Sequence, residues 1–178
     1  MPSWIDQGVA HYAARMPTFC KLKLQALPLQ KRGKKADIKA LMKRETAQLL
    51  QAIPVAADCV ALERTGKMIS TEMLAEQLRK WLASGQQPVI LIGGPEGLET
   101  TVLQKARAVW SLSALTMAHP VARLVLAEQL YRAISIIQGL PYHRGPKWQQ
   151  NNTTSRLSEN REPTVKNRTF ARFPPDFR

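Results

Sequence analysis

Residues 88–92, PVILI, are five consecutive apolar residues that run directly into Gly93 and Gly94. A run this short, closed by turn residues, reads as a strand buried on both faces, the kind found where helices cover a parallel sheet from both sides. The flanking sequence supports that reading because strand-like and helix-like patterns alternate along the chain. PSWIDQGVAHYAARMP predicts a helix capped by Ser3, with Trp4, Ile5, Val9 and Tyr12 facing inward and Pro17 ending it. In CKLKLQAL, Cys20, Leu22 and Leu24 alternate with lysines, as in a strand with one wet face. Ile38, Leu41, Met42, Leu49 and Ile53 then recur at helical spacing. DCVALE is a short strand, and STEMLAEQLRKWLASG a helix with Ser70 as N-cap and Gly85 at its end. After PVILI come a helix expected from about Glu96, the mixed run WSLSALT, and a long helix PVARLVLAEQLYRAISIIQG. The alternation predicts an α/β fold with a mainly parallel sheet, and ligands collect beyond the carboxyl ends of such strands.

The apolar runs are too short to cross a bilayer and the start carries no leader-like pattern, so a cytoplasmic protein is expected. Cys20 and Cys59 alone make neither a disulfide framework nor a cysteine zinc site, and buried thiols are the expectation, with no metal. The formal charge of +13, from 26 Lys and Arg against 13 Asp and Glu, points to a polyanionic partner, nucleic acid first. KRGKKADIKALMKR concentrates that charge, and Lys31, Arg32, Lys34 and Lys35 are the candidate phosphate contacts; a merely solvated face is the competing reading. From residue 145 onward there are four prolines, scattered charge and no sustained apolar period. The expected division is therefore a folded domain over 1–144 and a disordered segment over 145–178.

The glycine turn GGPEG resembles a phosphate cradle, yet it lacks the Lys and the Ser or Thr hydroxyl that a triphosphate site needs, and Glu96 is a charge of the wrong sign. A phosphate-loop nucleotidase is thereby disfavoured. The turn still permits close backbone approach by an uncharged or cationic ligand. LERTG, residues 62–66, and LSALTMAHP, residues 112–120, should end near the same edge of the sheet. Three loops would then converge on one cleft.

LIGGPEGL, WSLSALTMAHPVARLVLAEQLYRA and the later PYHR, with KRGKKADIK and the early MPSW, occur in one order over residues 1–144. In that combination the chain resembles the ribosomal RNA large-subunit pseudouridine N3-methyltransferase (RlmH) family, of the SPOUT or α/β-knot type. The resemblance implies a parallel sheet threaded into a trefoil knot, a homodimer, S-adenosylmethionine as methyl donor, and as target a pseudouridine of 23S rRNA in the assembled 70S ribosome. It implies a donor site at Leu62, Glu63, Gly93 and Gly94 together with Leu112, Ser113, Ala114, Leu115, Thr116, Met117 and Ala118. His119 is the first candidate general base, against the plainer reading of a residue that caps the last helix. Tyr142, His143 and Arg144 are implied to complete the site from the dimer partner, with Tyr142 stacking on the base and Arg144 holding an oxygen. In the final helix Arg123, a candidate RNA contact, is with Glu128, Gln129 and Tyr131 a candidate to orient the substrate, whereas Leu124, Val125, Leu130 and Ile134 read as dimer or core packing. Family members ordinarily carry one more strand before the segment matching MPSW and stop near Arg144. A chain departing at both places is expected to have a weakened sheet with an exposed edge, and an RNA- or ribosome-binding module without catalysis is the alternative function.

Overall fold

A computed structural model describes residues 3–28, 33, 37–55 and 57–144 and the backbone of 171–173. In chain order the elements are α1 (Ser3–Ala14), β1 (Leu24–Ala26), α2 (Ile38–Ala52), β2 (Asp58–Met68), α3 (Thr71–Ser84), β3 (Pro88–Ile92), α4 (Thr100–Lys105), β4 (Ala108–Ser111), α5 (His119–Ile137) and β5 (Ala171–Phe173). The strands form one sheet in the order β1-β5-β3-β2-β4, with every neighbouring pair parallel.

All five residues of β3 are buried because both faces of the sheet are covered. Val60, Ile90 and Ile92 pack with Leu74, Leu78, Trp81, Leu126, Leu130 and Ile134 of α3 and α5. The alternate residues Cys59, Val89 and Leu91 pack on the other face with Leu49 of α2 and Val102 of α4. The two-residue period of a strand thus divides one apolar run between two cores. Both cysteines are buried and in no disulfide.

The predicted caps of α3 are present. Ser70 Oγ accepts from the Met73 amide, and Gly85 closes the helix in the left-handed region at φ 71°. At the amino edge of β2, the buried Asp58 carboxylate accepts from Trp81 Nε1 at 2.5 Å and from Arg107 Nη1 at 3.3 Å. Trp81 is 1% exposed and stacks at a tilt near Trp110, so this one residue ties α3 to β2 and β4.

Several elements depart from the sequence expectation. Trp4 is 57% exposed although it was assigned inward, because α1 meets α5 along the Ile5 and Val9 side. The strand predicted across CKLKLQAL is ladder-paired only over Leu24–Ala26, although Cys20 is fully buried. The helix after the glycine turn begins at Thr100 rather than near Glu96, because residues 94–97 close into a turn with the Gly97 amide on the Gly94 carbonyl at 3.1 Å. β2 runs to Met68, well past DCVALE, since Lys67 and Met68 resume pairing with Trp110 and Ser111 beyond an irregularity after Leu62. Of the segment expected to be disordered, 171–173 form β5 between β1 and β3, which supply hydrogen-bonding partners on both sides. The remainder lies outside the described residues.

Candidate functional site

The carboxyl ends of β3 and β4 and the irregular middle of β2, after Leu62, open onto a single cleft. Leu62, Glu63 and Arg64 form one wall, residues 92–97 the floor, and residues 110–113 with Leu115, Thr116, Met117 and His119 the other wall. The three segments that sequence order placed together do converge, although residues 62–66, expected to be a loop, belong to β2 and only Leu62, Glu63 and Arg64 of them line the cleft. Of the residues named for this site, Ala114 and Ala118 are exposed and do not line the cleft. Ala118 stands at the N-cap of α5, so its carbonyl enters the helix while its methyl faces outward.

The floor demands glycine. A Cβ on Gly93 would lie 2.5 Å from the Gly97 carbonyl carbon, so the two backbone strands of the turn can approach only without a side chain there. Gly97 has φ +84°, a conformation that side chains rarely adopt. Gly66 performs a related task within β2, where a Cβ would meet the Trp110 backbone at 2.7 Å. The opposite wall is shaped by its own hydroxyls: Ser111 Oγ donates to the Ser113 carbonyl at 2.9 Å, and Ser113 Oγ accepts from the Leu115 amide at 2.9 Å. That local bonding presents Leu115, 76% exposed, as an apolar surface over the opening.

His119 sits at the start of α5 with Nδ1 3.2 Å from the Gly93 carbonyl oxygen. Burial, reinforced by the positive charge of Arg123 one turn along, lowers its pKa to about 4. The ring is neutral at pH 7, and a group this weakly basic is a poor acceptor for a tightly held proton. The geometry makes His119 a clamp between α5 and the glycine turn, and not a cap of the helix, whose N-cap is Ala118 with no side-chain capping bond. Because the folded-state value lies below the ordinary 6.5, the stabilisation is present above about pH 6.5 and lost as pH falls toward 4. Urea unfolding across that range should show a loss of about 1–2 kcal/mol, after allowing for screening at a partly exposed ring. His119→Asn, which keeps a donor but does not titrate, should flatten that part of the profile.

Arg123, expected to contact RNA, is instead 1% exposed, so burial in its own chain leaves it almost no surface for such a contact. Lys31, Arg32, Lys34 and Lys35 lie outside the described residues; on α2, Lys39, Lys43 and Arg44 are exposed. Tyr142, His143 and Arg144 do not line the cleft of their own chain. Tyr142 donates to Glu128 Oε1 at 3.1 Å and lies under the Arg132 guanidinium at 4.6 Å. Burial, with the Tyr12 hydroxyl and the Glu128 carboxylate, pushes its phenol well above the usual range. His143 Nε2 is 3.4 Å from Glu72 Oε1. The Glu72 carboxyl is held below its ordinary value by its own amide and the Ser70 hydroxyl, with a smaller contribution from His143. Glu128 and Gln129, expected to orient substrate, instead hold Arg132 and Thr71, and Tyr131 is buried against Arg15.

Sequence reasoning overlooked Arg64, Trp110 and Ser111, which line the cleft. Trp110 and Ser111 end β4, and the rule that ligands gather at carboxyl strand ends would have found them. Among the described residues there is no group of three or more His, Cys, Asp or Glu side chains placed to hold a metal, and no helix long and apolar enough to cross a membrane.

Comparison with known proteins accords with this architecture. The family described as "Predicted SPOUT methyltransferase" matches residues 1–143. The chain is 46% identical over 144 residues to a protein of Thioalkalivibrio sulfidiphilus named ribosomal RNA large subunit methyltransferase H, covering 81% of this chain and 92% of that protein. Proteins of the same name from Hydrogenovibrio crunogenus and Coxiella burnetii are 41% and 46% identical, each over 81% of this chain and over 92% and 93% of their own lengths. A profile match over residues 1–143, with relatives at this identity across nearly their whole length, shows that the chain belongs to the SPOUT methyltransferase family.

Proposed function

We propose that this protein transfers a methyl group from S-adenosylmethionine to N3 of a pseudouridine in 23S rRNA of the assembled 70S ribosome, acting as a homodimer in the cytoplasm. The observation that carries the proposal is the cleft where the carboxyl ends of β3 and β4 meet the irregular middle of β2, in a chain this similar to proteins named large-subunit rRNA methyltransferases.

The residues present suit the donor. Gly93 and Gly97 give backbone access, Leu62, Leu115 and Met117 give apolar walls for an adenine ring, and Glu63 and Glu96 favour a sulfonium over a phosphate. The donor supplies an electrophilic methyl and a neutral leaving group. The chain's own part is to position and desolvate. Ser111 and Ser113 fix the wall against which the donor rests, and His119 holds the floor to α5. The N3 proton is not assigned to His119, whose basicity is too low. Tyr142, His143 and Arg144 would serve the partner subunit's cleft, a reading supported by their absence from the lining of their own and by the apolar Trp4, Met73 and Leu140 left exposed on α1, α3 and after α5. The net charge of +13 suits an rRNA surface.

The test is to incubate the purified protein with labelled S-adenosylmethionine and ribosomes lacking the modification, then locate the label in the rRNA by mass spectrometry. The expected result is one methyl on N3 of a single pseudouridine. Donor binding without transfer would favour the binding-module reading, and absence of donor binding would overturn the site.

A further inference from the structure

Leu62 and Lys67 of β2 both stand opposite Trp110 of β4, so residues 63–66 leave the ladder and return to it at the same partner. Gly66 lets the returning chain lie against the Trp110 backbone. Within this excursion two neighbours of opposite charge take different positions. One carboxylate oxygen of Glu63 accepts from the Arg64 amide at 2.8 Å, and the other lies beside the floor, 3.3 Å from where a Cβ on Gly97 would stand. Arg64 also lines the cleft, but it is exposed, whereas Glu63 is half-buried. Among the described residues no carboxylate pairs with the Arg64 guanidinium. The rest of the described lining is unfavourable to an anion: it holds the carboxylates of Glu63 and Glu96, and His119 is neutral at pH 7. Arg64 is the one permanent cation among the described lining residues.

We propose that Arg64 is the phosphate contact of this cleft, holding the rRNA backbone beside the nucleotide whose base enters to be methylated; the assignment rests on the functional reading above. Every nucleotide of the substrate carries a phosphate, so a base cannot approach the donor without bringing negative charge close to Glu63 and Glu96. A guanidinium on the same wall offsets that repulsion, and its planar fork can donate to two phosphate oxygens at once. The support beneath it is set before substrate arrives. Both ends of the excursion are tied to Trp110, and the Glu63 carboxylate fixes the Arg64 amide, so little backbone freedom remains to be lost on binding. Exposure decides which anion is held. A donor seated on the glycine floor carries its own carboxylate into the cleft, whereas a polynucleotide backbone stays outside, where Arg64 meets solvent. The excursion thus places a carboxylate toward the sulfonium and a cation toward the polyanion on adjacent residues.

The experiment uses the full chain and ribosomes lacking the modification, and compares wild type with Arg64→Gln, Arg64→Lys, Arg64→Glu and Lys105→Gln. The last removes an exposed cation that does not line the cleft and so controls for net charge. In Arg64→Gln the KM for ribosomes should rise about tenfold with kcat within about twofold of wild type and S-adenosylmethionine affinity unchanged. Arg64→Glu should be worse, and Arg64→Lys should recover part of the loss, since it keeps the charge without the fork. Co-sedimentation with ribosomes across a salt series gives a second readout. The slope of log affinity against log salt should become shallower by about 0.7 in Arg64→Gln, the value for one single-strand phosphate, and should not change in Lys105→Gln. An unaltered KM and slope in Arg64→Gln would overturn the proposal, as would equal changes in Lys105→Gln. A matching loss of S-adenosylmethionine affinity would give the guanidinium to the donor carboxylate, and a change of oligomeric state in light scattering would give it to a subunit contact; either overturns the RNA contact. Co-sedimentation needs no methyl transfer. If wild type binds ribosomes but transfers nothing, the catalytic reading fails while the salt slope still decides the contact; if wild type does not bind ribosomes, both fail.

Discussion

Gly93→Val is expected to abolish methyl transfer and weaken S-adenosylmethionine binding by about 100-fold, equivalent to about 2.7 kcal/mol. The new Cβ would fall 2.5–2.9 Å from the carbonyl group and Cα of Gly97, which are backbone atoms of a turn closed by its own hydrogen bond and cannot rotate aside as a side chain could. To relieve the clash the turn must open, which moves the floor of the cleft and pulls the Gly93 carbonyl away from His119. The fold should survive, because β3 ends at Ile92 and its burial does not depend on the turn. Gly33→Ala is the control, since no atom lies within 4 Å of a Cβ at that position. Calorimetric titration with the donor checks the pair, and wild-type affinity in Gly93→Val would mean that the donor does not approach the turn.

Trp81→Ala should cost stability rather than chemistry, about 3–5 kcal/mol, the range for removing a fully buried aromatic side chain. Lost with the ring are its packing between α3 and the sheet, its contact with Trp110 and its hydrogen bond to Asp58. At roughly 2–4 °C per kcal/mol for a chain of this size, the melting temperature should fall by about 6–20 °C. Trp81→Phe separates the two contributions. It keeps most of the apolar volume but leaves Asp58, in the buried edge of β2, with only the 3.3 Å contact to Arg107, and should cost about 1–2 kcal/mol. Equal losses for Ala and Phe, read by urea unfolding, would show that packing contributes little here.

The parts of the fold legible in the sequence were those governed by local chemistry. PVILI announced a strand covered on both faces, and Ser70 and Gly85 marked the limits of α3 because a hydroxyl acceptor and a left-handed glycine act within one turn. What escaped was set by distant neighbours. The polar residues after Glu63 have no strand period, and they join β2 because Trp110 and Ser111 pair with Lys67 and Met68. Ala171–Phe173 is too short to show any period. Arg123 reads as a surface cation until the helices around it are placed, and Trp4 shares the helical spacing of Ile5 and Val9 without sharing their neighbour α5. Nothing in periodicity marks a threaded chain. For the candidate site, order along the chain brought the right segments to one cleft. Which side chains of 112–118 face inward depended on hydroxyl-bonded turns, and that excluded Ala114 and Ala118.

The position of β5 has a consequence for how the molecule is made. Its partner β1 is synthesised near the beginning of the chain, and nearly the whole sequence intervenes before Ala171 is added. At 5–20 residues per second this is an interval of roughly 7–30 s, during which helices and the β2–β3–β4 core can form but the sheet remains open between β1 and β3. Those two strands then present unpaired amides and carbonyls to other nascent chains, so co-translational aggregation should be most sensitive to how quickly the last residues are delivered.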